Sequence, residues 1–332
     1  MNKILLNLCS IFIIKKKKRE YFKIRYKNKT LLSCFCPKKI SNMIDKINRI
    51  DNIDTNNRYN RINIQTNRDY SIEGWKYDNP LDKTKYDIKI IITYHRPAFL
   101  FQHKVLLPIH GGRDIKDNNI IKSGAGEFIK SEQSIKWLQD NMIGDNTGDN
   151  ISYMNKNISI ESSLYWVWKH YDEIGNPAYI GNFHFRKLFP FSALHDYAIY
   201  DLILPIKRQT GKGCDLLNEI NEITMNIIKK HSPELVEEIR KWYLKEAKDI
   251  YYDEMYIMTK KLFFEYCEWI FPIIFDLYEV TTKQKIQICS WDIKGDVRQV
   301  AWVVERLTGW WLWKKTQDKN IKYKEMPIVI IE

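Results

Sequence analysis

A chain of 332 residues, 44% hydrophobic and 14% aromatic, is large enough to bury a substantial core, which excludes an intrinsically disordered protein. Its formal charge of +12 is concentrated: residues 1 to 40 hold twelve Lys or Arg against one acid, Glu20, so eleven of the twelve net positive charges sit there. A nucleic-acid enzyme spreads its positive field over the folded domain that tracks the phosphate backbone, so this pattern argues against nucleic acid as a partner.

The chain opens MNKILLNLCSIFIIKKKKREYFKIRYK. The apolar run Ile4 to Ile14 is too short to cross about 30 Å of hydrocarbon as a helix. Followed by a basic run with Tyr21, Phe22 and Tyr26 interleaved, it has the make-up of an interfacial anchor for an anionic membrane surface, with residues 1 to 40 as the segment. A solvated tail and a signal peptide are the competing readings, and the charge order disfavours the signal. Residues 41 to 85 are rich in Asn, Asp, Ile, Lys and Arg and read as a linker, with a helix expected around Ser41 to Ile50 and Trp75 expected against the following domain. Six cysteines (Cys9, Cys34, Cys36, Cys214, Cys267, Cys289) lack paired metal spacing and read as reduced thiols.

Residues 86 to 332 form the predicted folded domain. Ile88 to Thr93 is a β-branched run, the pattern of a strand buried on both faces of a parallel sheet, ending at Tyr94-His95-Arg96-Pro97. Pro108 to Asp114, PIHGGRD, is a glycine turn whose amides fit a phosphate or an ordinary turn equally well. Gly144 to Asn150, GDNTGDN, is a tight turn in which Asp145, Asp149 and Asn150 either cap the backbone or present carboxylates and amides to a ligand. From Ile151 to Tyr171, positions 158, 162, 165, 166 and 169 follow at spacings of three and four and predict one helix. Asn155, Lys156 and Glu161 sit on or before it, and Glu161 reads as a solvated helix charge. Trp166 and Trp168 diverge, so one is expected in the core.

After Asn176-Pro177 a short buried strand runs to Phe183, with His184, Arg186 and Lys187 at its end. A loop, a helix, a strand and a basic cluster at the strand's carboxyl end is the layout in which open α/β sheets seat ligands. Asp201 to Pro205 predicts another strand, and Asp215 to Lys248 two amphipathic helices about Ser232-Pro233. Asp253-Glu254 precedes a strand-like YIM, Leu262 to Tyr278 is a helix that Pro272 should kink or divide, and VVERL carries Glu305.

The words GDNTGDNIS, NKN, LYWVWKH and YIGNFHFRKLF, with IKIIITYHRP and PIHGG before them and DLILP, MYIMTKKLFFEYCEWIFPIIFDLYE and VRQVAWVVERL after, resemble in order the signature of a family of bacterial capsular and exopolysaccharide biosynthesis proteins, catalogued as a domain of unknown function and regarded as glycosyltransferases. The resemblance runs from about Ile88 to about Val329.

It implies an α/β fold: a GT-A-like, Rossmann-type nucleotide-sugar-binding sheet flanked by helices, with residues 86–205 as the donor half, 206–332 as a helical acceptor half, and the basic N-terminal tail outside both. It implies transfer of a sugar from a nucleotide-sugar donor to a glycan or polyprenyl-linked acceptor of capsule, exopolysaccharide or lipopolysaccharide, at the cytoplasmic face of the bacterial inner membrane or in the cytoplasm. Donor contacts are then expected from Thr93, Tyr94, His95, Asp145, Asp149, Asn150, Asn155, Lys156, His184, Arg186 and Lys187, and a catalytic base among Asp253, Glu254 and Glu305. Where such enzymes end a strand in Asp-x-Asp for a Mg or Mn ion, this chain has Asn182-Phe183-His184, so no cofactor is expected to be required and Arg186 and Lys187 are expected to neutralise the leaving diphosphate. The family's His-Tyr-Arg-Arg-Tyr-Phe is His-Phe-Arg-Lys-Leu-Phe here, and its Asn-Met-Phe is Glu254-Met255-Tyr256. These departures suggest an alternative, a catalytically inactive carbohydrate-binding or scaffold subunit.

Overall fold

The computed structural model describes residues 86–98, 100, 104–115, 132–189, 197–209, 222–242, 249–288 and 297–331, with the backbone of short strands at Ile14–Lys16, Arg19–Tyr21, Lys23–Tyr26, Lys29–Ser33, Tyr59–Ile64, Ile121–Ser123 and Gly126–Phe128. The helix expected near Ser41, the packing of Trp75 and the Asp215-Leu216 helix start lie outside the described residues.

The β-branched run forms β1 (Ile88–Tyr94), at the centre of a mixed sheet. Beside it lie β2 (Leu106–His110) and then β3 (Ile143–Gly144) on one flank and β4 (Tyr179–His184) on the other, all parallel. A turn joins β4 to β5 (Lys187–Leu188), antiparallel to it. The sheet then continues through elements from further along the chain. β6 (Leu202–Pro205) and β7 (Tyr256–Thr259) pair with each other, β7 pairs antiparallel with β4, and β8 (Tyr323–Met326) lies parallel to β6. β9 (Ile328–Ile331) pairs with β5 and with the backbone of Tyr59–Ile64.

Side chains alternate across a strand, so β1 feeds two cores. Ile91 faces a large cluster built with α2 (Glu161–Lys169), α3 (Glu222–His231), α4 (Val236–Lys241), α5 (Lys260–Thr282) and α6 (Gln299–Gln317), while Ile88, Ile90 and Ile92 face Phe183, Ile257, Met326 and Leu138 of a further helix, Glu132–Asn141. The result is a mixed α/β fold with helices on both faces of the sheet and a helical C-terminal part.

Two elements differ from expectation. The helix predicted over 151–171 is broken: a short turn at Ser152–Met154 and Asn155–Ile158 precedes Ser159, whose φ of 58° is left-handed, and α2 starts only at Glu161. The cause is side-chain competition for the backbone, because Asn155 donates from Nδ2 to the Ser159 carbonyl at 2.6 Å. Pro272 does not divide α5, which runs 23 residues, its N-terminus capped by Thr259. Ile270, Phe271, Ile273 and Ile274 around the proline are all fully buried, and their packing outweighs the missing backbone bond. Among the described residues no helix is long and apolar enough to cross a membrane.

Candidate functional site

Parallel pairing puts the carboxyl ends of β1 to β4 along one edge. His184 is level with Thr93, Tyr94 with His110, and His110 with Gly144. β7 runs the opposite way, with Tyr256 level with Asn182, so the residues just before it, Asp253 and Glu254, arrive at that same edge. Topology therefore gathers His95 and Arg96 after β1, the glycine turn after β2, the GDNTGDN loop after β3 and Phe185-Arg186 after β4.

Phe185 is buried, and three basic side chains collect on its ring. His95 meets it edge-on at 5.2 Å between centroids, and the guanidinium carbons of Arg96 and Arg186 lie 5.5 and 5.2 Å from its centre. Arg186 is exposed while His95 and Arg96 are half-buried. Arg96 was not among the expected contacts; its place directly after the strand-ending Tyr94-His95 was the available signal.

Lys187 is turned away from this group. Its ammonium pairs with the Asp253 carboxylate. Asp253 and Glu254 both have positive φ, 72° and 48°, a costly conformation for residues with side chains. The turn is held from several sides: His184 Nε2 meets the Asp253 carbonyl, Asn182 Nδ2 donates to the Glu254 carbonyl at 2.8 Å, and the Asp253 amide donates to Glu305 Oε1 at 3.1 Å. Burial lowers the His184 pKa, the nearby Asp253 opposing, so the ring is neutral near pH 7 and its contact with a carbonyl places the proton on Nε2. Glu305 accepts from Arg306 through its other oxygen at 3.1 Å.

Glu161, read from sequence as solvated, is 1% exposed. Its carboxyl meets that of Glu254, and burial pushes its pKa up to about 7. Glu254 is raised as well, by burial first and then by Glu161, Glu305 and Asp253. The sequence signal lay in its company: residues 161–167 are all buried.

The glycine turn does seat an anion, and the anion belongs to the protein. Asp145, fully buried, accepts from the amides of Gly112 at 2.9 Å and Arg113 at 3.2 Å and from the hydroxyls of Ser152 at 2.5 Å and Ser162 at 2.6 Å. Asn155 donates to the Ser162 hydroxyl oxygen at 2.8 Å, which ties it to the same knot. Asp149 and Asn150 lie elsewhere: Asp149 accepts from Tyr165 at 3.0 Å and its carbonyl meets His170 Nε2, while Asn150 accepts from the Ser152 amide at 3.1 Å. Ser162 and His170 are eight residues apart, roughly 12 Å along a helix, so this loop runs beside α2 and only its Asp145 end reaches the sheet edge. Thr93 and Tyr94 are buried, with the Thr93 hydroxyl lacking a hydrogen-bond partner, and Lys156 is exposed. Trp166 and Trp168 both pack, stacked on His170 and Phe271.

Among the described residues no three His, Cys, Asp or Glu side chains are gathered to hold a metal ion. Of the carboxylates at the edge, Asp253 pairs with Lys187 and Glu305 with Arg306.

The family described as a domain of unknown function (DUF4422) matches residues 89–317. No curated protein sequence matches the chain. Among solved structures the fold is similar to the apo structure of the WbbM bifunctional glycosyltransferase, with a TM-score of 0.55 and 22% identity. The alignment covers 74% of this chain and 45% of that one, so the chain spans less than half of the bifunctional protein.

Proposed function

The chain belongs to the DUF4422 family, and from that membership and the geometry of its sheet edge we propose that it is a glycosyltransferase that moves a sugar from a nucleotide-sugar donor to a glycan or polyprenyl-linked acceptor of a surface polysaccharide. The observation that carries this reading is the trio His95, Arg96 and Arg186 around Phe185, at the carboxyl edge where β1 and β4 lie side by side. Guanidinium groups bind phosphate oxygens bidentately and stabilise charge that develops as a diphosphate departs. Arg96 and Arg186 fill that role in our reading, in a GT-A-like arrangement whose guanidinium groups neutralise the diphosphate in place of a metal ion. Lys187 serves the leaving group indirectly, by fixing the Asp253 turn.

The acceptor hydroxyl must lose a proton as it attacks. Of the three carboxyl groups expected to accept it, Asp253 and Glu305 are tied to Lys187 and Arg306, which leaves the half-buried Glu254. The likeness to the WbbM bifunctional glycosyltransferase supports the fold on which this site is built. The basic residues 1 to 40 would then hold the enzyme at the anionic cytoplasmic face of the inner membrane, where a lipid-linked acceptor lies.

Calorimetry and a turnover assay with a panel of nucleotide sugars test the proposal. Binding and release of the nucleoside diphosphate by the wild-type chain, both lost in the Arg96→Ala, Arg186→Ala double variant, uphold it. Binding without turnover on any donor and acceptor points instead to a carbohydrate-binding or scaffold subunit.

A further inference from the structure

Glu161 opens α2 almost wholly buried, and neither of its carboxyl oxygens meets an N–H or O–H donor. Oε1 of Glu254 is buried without a donor as well. So is the hydroxyl of Tyr256, whose residue is level with Asn182 across β4 and β7. Asn182 fixes the backbone of Glu254 through its amide nitrogen, and its Oδ1 lacks a partner. An ionised carboxylate here would give up its hydration and gain no donor in return. The two carboxyl groups face each other with no donor from the rest of the protein on their buried oxygens, and two acceptors so placed require a hydrogen on one of them.

We propose that Glu161 and Glu254 hold one proton between them, and that Glu161 is a positioning residue, sealed behind Glu254, that sets the protonation of the group receiving the acceptor's proton. The inference rests on the transferase reading given above. Burial raises both carboxyl groups, Glu161 to about 7 with its contact to Glu254 opposing, and Glu254 further through the neighbouring Glu161, Glu305 and Asp253. The other titratable groups of the cluster are Asp253 in the same turn, Tyr256 on β7, His184 and Lys187 from the β4 tip, Glu305 from α6, and Tyr266 and Cys267 from α5. In a direct displacement the acceptor O–H breaks and its proton passes to Glu254. The freed oxygen pair forms the bond to the anomeric carbon while the diphosphate leaves with the electrons of the bond it gives up. The carboxyl pair then carries two protons and returns one to water.

Infrared spectroscopy of the full chain tests the pair directly, with Glu161→Gln and Glu254→Asn as variants. The expected result is a protonated-carboxyl carbonyl band that persists in the wild type above the pH at which ordinary glutamate has ionised, is lost in Glu161→Gln, and moves in frequency in Glu254→Asn, where an amide replaces the facing carboxyl. Glu254→Asn alters the half-buried member and presents an amide donor to Glu161, so it keeps the test open where Glu161→Gln fails to fold. A wild type without the band, or a band unchanged in position and size by both substitutions, overturns the shared proton. In the turnover assay the acidic limb of kcat/KM should move down by about one pH unit or more in Glu161→Gln with the donor KM unchanged. A limb at the same pH in both proteins overturns the positioning role. A band abolished by Glu161→Gln, in a chain that turns over no nucleotide sugar, upholds the shared proton and removes the transferase reading.

Discussion

Lys187 and Asp253, 66 residues apart in sequence, form an ion pair that joins the β4–β5 turn to a left-handed turn before β7. The pair is half-buried, so its Coulombic value is modest, but it restrains a backbone that would otherwise relax.

Replacing Lys187 with Met should therefore cost about 1 kcal/mol in denaturant unfolding and lower turnover by more than tenfold. A double-mutant cycle with Asp253→Asn measures the coupling, expected at roughly 0.5–1 kcal/mol. A Lys187→Met enzyme with wild-type turnover would remove the turn from the mechanism.

Arg186 makes the opposite prediction. It is exposed, so Arg186→Ala should leave stability within about 0.5 kcal/mol of the wild type. Affinity for a nucleoside diphosphate, read by calorimetry, should fall by about tenfold or more, in line with the loss of a charge-assisted hydrogen bond. Equal affinity in both proteins would place the diphosphate elsewhere.

Asp145→Ala should cost about 3–5 kcal/mol, because it leaves two amides and two hydroxyls of a buried knot without their shared acceptor. The loss should be visible as a lower denaturant midpoint with an unchanged slope. Gly112→Ala should destabilise the same knot, since the residue has φ +71° and its Cβ would lie 2.7 Å from Asn155 Oδ1.

The carboxyl pair also makes stability depend on pH. Glu161 is raised from 4.5 to about 7, so the stability it contributes is complete below about pH 4.5 and is lost as pH rises toward 7. His184 acts in the reverse sense: its lowered pKa contributes stability above 6.5 that is lost as pH falls. Thermal unfolding of the wild type and Glu161→Gln across this window separates the two. The variant should gain on the wild type steadily between pH 4.5 and 7, and a constant difference would contradict the raised Glu161.

The sheet was legible where local composition decided the matter. The run from Ile88 to Thr93 became a strand buried on both faces, and the strand expected after Asn176-Pro177 to reach Phe183 runs one residue further, to His184. What could not be read locally were the partners. Ser159 breaks the predicted helix because of side chains from Asn155 and the Asp145 knot, and Glu161 is buried by a carboxyl 93 positions further along. PIHGGRD read equally as an anion seat or an ordinary turn, and its occupant, Asp145, comes from a different loop. Arg96 and Arg186 meet only because β1 and β4 are in register, a relation set by tertiary pairing.

Glu305 grips the Asp253 amide from the long terminal helix, while His184 and Lys187 grip the same residue from the sheet. At Gly309, one turn further on, that helix comes so close to the backbone that a Cβ there would sit 2.9 Å from the Tyr251 carbonyl. Helix α6 is thus fastened to the segment before β7 at two points about one turn apart, so a push on that helix would be passed on to the Asp253 turn.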